Sequence, residues 1–164
     1  MNNIRRAVPG DAAAIGKVHF LAWQQAYGGL ISDKYLASMS QEKSTAIFEK
    51  NSCRNMLVAL REYAIIGFCG YGKARDQDLP GDFGEVQGIY VLKGFQRMGL
   101  GSRLLSQAKD ELRSMGFKRA CLWVLKQNLS ALAFYKKHGF SPDGASKTAV
   151  LDTPVTEIRL TCVL

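Results

Sequence analysis

Apolar positions along the 164-residue chain recur in two rhythms. Near the start, Ile15, Val18, Ala22 and Ala26 fall three or four apart, and Phe20, Trp23 and Tyr27 form a second, aromatic stripe. That period predicts a helix, entered from the turn Pro9-Gly10-Asp11 with Asp11 as its N-cap and stopped by Gly28-Gly29. Tyr35, Leu36, Met39, Ile47 and Phe48 anchor one or two short helices over residues 33–51. The rhythm then changes. Asn55–Leu60 and Tyr63–Lys73 read as a hairpin joined at Arg61-Glu62, Arg75–Asp82 is polar with a turn at Pro80-Gly81, and Phe83–Leu92 is strand-like. Gly101–Met115 returns to helical spacing, with Leu104, Leu105, Ala108, Leu112 and Met115 on one face and Gly116 at its end. Arg119–Leu125 reads as a buried strand. Asn128 caps a short helix whose last turn holds Lys136, Lys137 and His138, where cations suit the helix dipole, and Gly139 stops it. Asn3–Val8 is a first, short edge strand; Phe140 to about Val150 and Glu157–Val163 are the last two.

The order β-α-α-β-β-β-α-β-α-β-β puts hairpins early and helix-linked strands late. It predicts an α/β (mixed α+β) domain over residues 1–164: a mixed sheet with helices on both faces.

Composition narrows the class. An apolar content of 47% with 22% charged residues is ordinary for a globular protein. The apolar runs are too short to span a bilayer, and the N-terminus lacks the apolar stretch of a secretory signal, so no membrane role and a cytoplasmic location are expected. Cys53, Cys69, Cys121 and Cys162 have no C-x-x-C spacing and read as buried free thiols. His19 and His138 lie far apart, so no metal is expected. The net charge of +8 comes from 22 basic and 14 acidic residues. The basic residues are dispersed and no aromatic-interleaved RNA motif is present. An anionic cofactor together with solvated surface accounts for the charge, and no nucleic-acid partner is expected.

The sharpest local feature is Gln96-Arg97-Met98-Gly99-Leu100-Gly101, between a strand and a helix. Its glycines let backbone N–H groups approach a ligand. The following helix points unpaired N–H groups and its positive dipole end at the same spot. Arg97 adds charge. This is a cradle for a phosphate or pyrophosphate. No Gly-Lys-Ser/Thr follows, so it is not a P-loop. A third glycine is missing and hairpins precede it, which excludes a dinucleotide-binding Rossmann unit.

The hexapeptide resembles Q/R-x-x-G-x-G/A, the pyrophosphate loop of the GNAT N-acetyltransferases. A second signature follows: Leu122-Trp123-Val124, Asn128, Ala131, Phe134-Tyr135 and Gly139-Phe140, similar to the family's L-x-V…N…A…F-Y…G-F. The likeness covers residues 83 to 141 in detail and the remainder in element order. It implies a mostly antiparallel sheet of six to seven strands flanked by about four helices, with a splayed parallel strand pair, here 85–91 and 120–125. It also implies acetyl-CoA as donor and a primary amine, on a small molecule or a peptide, as acceptor. Pantetheine would pair with backbone of Ile89, Tyr90 and Val91. The pyrophosphate would lie on Gln96, Arg97, Met98, Gly99, Leu100, Gly101 and Ser102, and Asn128 would contact the pantetheine region.

The chemistry needs a neutral amine, whose ordinary pKa is about 10.4, a donor to the thioester oxygen, and a proton for the leaving thiolate. The resemblance makes Tyr135 the acid, seven residues after Asn128 and so on the same helix face. It makes Glu85 the base acting through water, against the plain reading of a strand-end carboxylate; Asp82 and a water chain are the stand-ins. The oxyanion donor would be backbone N–H of Val91 or its neighbour. Val-Leu-Lys-Gly at 91–94 departs from the family's V-x-P there. Trp23 and Tyr27, four apart on one helix face, resemble the W-x-x-x-Y-x-G of a subgroup and would roof the acceptor site; core packing is the plain alternative. A non-catalytic acyl-CoA sensor on the same fold is the rival function. The apolar stretch Ile158 to Leu164 offers an edge for a homodimer.

Overall fold

In the computed structural model, residues 2–164 are described. β1 (Asn2–Arg6) leads through a 3-10 turn at Pro9–Asp11 into three helices, α1 (Ala12–Ala26), α2 (Asp33–Ser38) and α3 (Gln41–Lys50). A meander of β2 (Met56–Arg61), β3 (Ala64–Lys73) and β4 (Phe83–Val91) follows, then a 3-10 turn at Lys93–Phe95 and α4 (Leu100–Ser114). β5 (Arg119–Leu125), α5 (Leu129–Lys137), β6 (Ser141–Leu151) and β7 (Thr153–Val163) complete the chain. The strands form one seven-stranded sheet in the order β1-β2-β3-β4-β5-β7-β6. Only the β4–β5 pair is parallel. This is the mixed, mostly antiparallel sheet expected from the sequence. Among the described residues no helix is long and apolar enough to cross a membrane.

Two apolar clusters sandwich the sheet. On one side the stripe Leu104, Leu105, Ala108 and Leu112 of α4 is fully buried against Leu57, Val86, Leu122 and Leu160. On the other, Ile15 and Val18 of α1 and Phe48 of α3 cover Val58 and Phe68. Met115, which the helical period places with the α4 stripe, is exposed at the helix end.

Two sequence expectations change. Asp11 does not cap α1 with its side chain. Its carboxylate accepts from the Val8 N–H at 2.9 Å and pairs with Arg5 at 2.7 Å, tying β1 to the turn. The real caps are Ser32, which accepts from Tyr35 N–H, and Ser40, which accepts from Lys43 N–H. Their two short helices account for the whole of the 33–51 segment. The final strand is not an edge either. β7 lies between β5 and β6, so its backbone is paired on both sides and cannot take a second copy of the chain.

The feature that positions the site is where β4 leaves β5. The parallel pairing holds only from Phe83↔Arg119 to Glu85↔Cys121. On its other side, β4 shifts register against β3: Tyr71 faces Val86 and Gly70 faces Gly88, leaving Gln87 as an extra residue. β5 stays paired with β7 along its whole length. A gap therefore opens between β4 and β5 beyond Glu85.

Candidate active site

Two clefts meet at this gap. One, of about 480 Å³, runs from the gap to the N-terminus of α4. The other, of about 380 Å³, lies between the end of α1 and the open face of β4 and β5. Ile89, Val91, Asn128 and Tyr135 line both.

On the donor side, strand register decides which backbone groups are available. Leu92 N–H donates to Ile66 C=O at 3.0 Å, and Phe68 faces Tyr90. Alternation along an antiparallel strand then turns the N–H and C=O of Ile89 and Val91 into the gap, and those of Tyr90 toward β3. Of the three strand residues named for pantetheine, two thus offer their backbone to the gap. Tyr90 instead lines the second cleft with its ring. The same alternation separates the candidate oxyanion donors: Val91 N–H faces the gap and Leu92 N–H is engaged. Gln96 braces the strand end, its side-chain N–H donating to Val91 C=O at 2.8 Å.

The loop Gln96–Gly101 leads into the start of α4. Arg97 and Gly99 both take left-handed backbone, with φ of 60° and 77°, which curls the loop toward the start of α4. The intrahelical ladder begins with Arg103 N–H to Gly99 C=O at 3.0 Å. The N–H groups of Leu100, Gly101 and Ser102 therefore point out of the helix end. Arg97, Gly99, Gly101 and Ser102 line the cleft. Leu100 contributes backbone only, since its side chain is buried in the core, and the Met98 side chain is exposed. A Cβ on Gly101 would touch the Phe134 ring at 3.5 Å, an ordinary contact, so the loop packs closely on α5. His138, which by sequence stands out only as a last-turn cation of α5, braces this end. Its Nδ1 must donate to Phe134 C=O at 2.8 Å, and its Nε2 lies 2.9 Å from Ser102 Oγ. A gap with facing backbone groups, leading to a helix N-terminus with a positive residue, fits an extended ligand that ends in a diphosphate.

Asn128 caps α5 through its Oδ1, which accepts from Ala131 N–H at 3.2 Å. Its amide N–H₂ is left for the gap. Tyr135 is buried where the two clefts join. Burial pushes its phenol well above the ordinary tyrosine value, so it holds its proton at neutral pH.

In the second cleft, Trp23 and Tyr27 stack edge to face with centroids 4.7 Å apart. Trp23 also leans on Tyr90, at 6.5 Å. Both rings, at the end of α1 and just past it, line the second cleft, so they form its wall. Glu85 lines it too and is 2% exposed. Arg75 holds it by three hydrogen bonds: backbone N–H and Nε to Oε2 at 3.2 and 3.0 Å, and Nη2 to Oε1 at 2.5 Å. Glu85 raises the Arg75 guanidinium pKa chiefly through these bonds. Asp82 is turned away, paired with Arg119 at 2.8 and 3.1 Å and absent from both cleft linings. Asp82, a stand-in base by sequence, therefore lies outside the clefts that Glu85 lines.

Sequence reasoning missed several lining residues. Arg75 sits in a stretch that reads as a polar turn. Lys147 and Glu157, on β6 and β7, read as solvated strand charges. Trp123 was noted only as part of a motif, yet its Nε1 donates to Asp76 at 2.9 Å and its ring carries the Lys147 ammonium at 4.0 Å. All four cysteines are buried and free.

A family model described as acetyltransferase (GNAT) matches residues 19–140. An uncharacterized N-acetyltransferase, YuaI of Bacillus subtilis (strain 168), is 32% identical over 144 residues, 87% of this chain and 81% of that protein. A probable N-acetyltransferase, Rv2775 of Mycobacterium tuberculosis (strain ATCC 25618 / H37Rv), is 30% identical, covering 88% of this chain and 83% of that protein. A spermidine N(1)-acetyltransferase of Thermoplasma acidophilum is 25% identical over 84% of this chain and 86% of its own. Among solved structures, PaiA N-acetyltransferase from Thermoplasma acidophilum in complex with coenzyme A superposes with a TM-score of 0.81 at 20% identity, covering 100% of this chain and 99% of that one.

Proposed function

The chain belongs to the GNAT acetyltransferase family and is an acetyl-CoA-dependent acyltransferase; on that premise we propose that it acetylates a small primary amine, with Tyr135 as the acid and Glu85 as the base. Bound acetyl-CoA supplies an activated acetyl thioester. The chain supplies the rest. Backbone of Ile89 and Val91 holds the donor's arm as an added strand would be held. The N-terminus of α4, with Arg97, neutralises the diphosphate.

The amine enters from the second cleft along the Trp23–Tyr27 wall. Its lone pair forms the new C–N bond as the C–S bond breaks; the amine gives up one proton and the sulfur takes one. Glu85 receives the amine proton through water. Its two carboxylate oxygens keep lone pairs beyond those used by Arg75. The Val91 N–H points at the gap where negative charge develops on the acetyl oxygen. Tyr135 hands its proton to the departing sulfur and recovers it from solvent.

The position of Tyr135 carries this reading: it is the one proton-bearing side chain that lines both clefts and is buried between them. Tyr135→Phe keeps the ring and its packing on Phe134 and Phe140. It is expected to lower turnover by about 10- to 100-fold while leaving CoA affinity within about twofold. Thiol release at fixed pH together with calorimetric CoA binding measures both, and unchanged turnover removes Tyr135 from the mechanism.

A further inference from the structure

Four charged residues line the acceptor cleft, and their signs cancel: Arg75 and Lys147 against Glu85 and Glu157. Each carboxylate already has a resident cation. Glu85 has the guanidinium of Arg75, and Glu157 has Lys147 at 3.7 Å. A second or third ammonium group of a polyamine would have to share these carboxylates with Arg75 and Lys147, whose like charges repel it.

Both cations keep N–H donors free for a ligand. Lys147 makes its 3.7 Å contact with Glu157, beyond ordinary hydrogen-bond length, and rests over the Trp123 ring at 4.0 Å. All three of its N–H donors remain for a ligand. Arg75 spends Nε and Nη2 on Glu85, and its side chain is 69% exposed beside a partner that is 2% exposed. Its Nη1 donors stay available, so it can hold Glu85 and a second anion at once.

We propose that the acceptor is an amine that also carries a carboxylate, with the carboxylate read by Lys147 and Arg75. The proposal rests on the acyl-transfer reading, because Tyr135 and the gap fix where the amine must sit. Lys147 reaches back across β7 to lie over Trp123 of β5, the strand that borders the gap. The ammonium of Lys147 is therefore about one to two strand spacings, about 5–10 Å, from the reacting position. That spacing suits a carboxylate a few bonds from the amine. The cleft volume of about 380 Å³ lies at the small end of the range for small-molecule sites, which suits a compact amine. Trp23, Tyr27, Tyr90 and Leu151 give its side chain an apolar wall.

The test compares matched pairs: phenylalanine with phenethylamine, and 4-aminobutyrate with propylamine, with spermidine as the polycation. Thiol release by the full chain with saturating acetyl-CoA gives kcat/KM for each. The carboxylate-bearing member is expected to be preferred at least tenfold. Lys147→Met, which keeps the stem over Trp123, is expected to cut that preference to within about threefold, and Lys147→Arg to restore most of it. CoA affinity checks that each variant is folded. Preference for the decarboxylated partners or spermidine, or an equal loss on both members of a pair in Lys147→Met, overturns the proposal. Calorimetric binding of the same pairs to the CoA-saturated protein separates the two readings. A carboxylate preference in binding without any turnover upholds this proposal while the transfer reading fails; no preference in binding overturns it.

Discussion

Lowering the pH from 7 to 5 should cost this protein stability through one imidazole. His19 sits on α1 among Trp23, Phe48, Phe68 and Tyr90, with ring centroids 5.4, 5.5, 6.3 and 5.6 Å away. Its Nδ1 lies 2.9 Å from Ser44 Oγ. Burial pushes its pKa down from 6.5 to about 4, because the apolar shell cannot solvate a cation. The unfolded chain has no such restraint. Between pH 6.5 and 4 the unfolded state therefore binds a proton that the native state refuses, and stability rises with pH across that window. The full contribution is present above pH 6.5, falls as the pH drops through the window, and levels off below 4. With these two values the loss from pH 7 to pH 5 is about 2 kcal/mol, of which about 0.7 kcal/mol is gone by pH 6. For a chain of this length 2 kcal/mol corresponds to a fall in Tm of about 4–8 °C. Urea unfolding at pH 7, 6 and 5 measures it in the wild type and in His19→Gln, whose amide can still meet Ser44. The variant is expected to start lower, from lost ring packing, and to change far less with pH. Asp11 and Asp82 are held below the usual carboxylate range by Arg5 and Arg119, and their contributions are lost only at lower pH, outside this window. Parallel pH dependence in the two proteins would refute the assignment to His19.

Three further outcomes follow from the same geometry. Gly99→Ala places a Cβ in open space but at φ 77°, so it should cost about 1–2 kcal/mol of backbone strain and weaken CoA binding, whereas Gly101→Ala meets only an ordinary ring contact and should retain both; equal CoA affinities in a titration would contradict the cradle geometry. Arg159→Met removes the partner of Asp78, Asp143 and Asp76, which it holds at 2.7, 2.7 and 3.4 Å; the urea midpoint should fall at neutral pH, and the deficit should shrink in acid as the Asp78 carboxyl, which the Arg159 guanidinium holds below the usual carboxylate range, takes up its proton. Glu85→Gln preserves shape and should lower kcat by about 10-fold or more at pH 7, with recovery as the pH approaches the amine's own pKa; a flat ratio to wild type from pH 7 to 9 would exclude Glu85 as the base.

What could be read from the sequence followed local rules. The cradle from Gln96 to Gly101, the Asn128 cap and the Tyr135 position are contained in short segments whose glycine, cap and helical spacings have direct physical meanings. The alternation and period of the strands and long helices likewise carried the sheet and its helices. What stayed hidden depends on pairs brought together from a distance. Arg75 looks like part of a polar turn until the chain doubles back and sets it on Glu85, ten residues on. Lys147 and Glu157 have no local signature, because β6 is mostly exposed and charges there look like solvated surface. The final strand looked like an edge because nothing in Ile158 to Leu164 encodes that β6 will lie outside it. His19 could not be told from a surface histidine until α3 and β3 closed around it.

The extra residue at Gln87 carries a consequence beyond the gap. Side chains alternate along a strand, so Glu85, Ile89 and Val91 would share one face of a regular β4. The inserted residue reverses the parity. Val86, Ile89 and Val91 face α4, whereas Glu85 lies opposite, on the face of Trp123 and the acceptor cleft. One residue of chain length thus assigns apolar packing under α4 to one face of the strand and the proposed base to the other. Deleting Gln87 would preserve every candidate side chain in the sequence and put Glu85 back on the same face as Ile89 and Val91. In this fold an amino acid can act through its count alone, which ties the chemistry of the site to strand length as firmly as to side-chain identity.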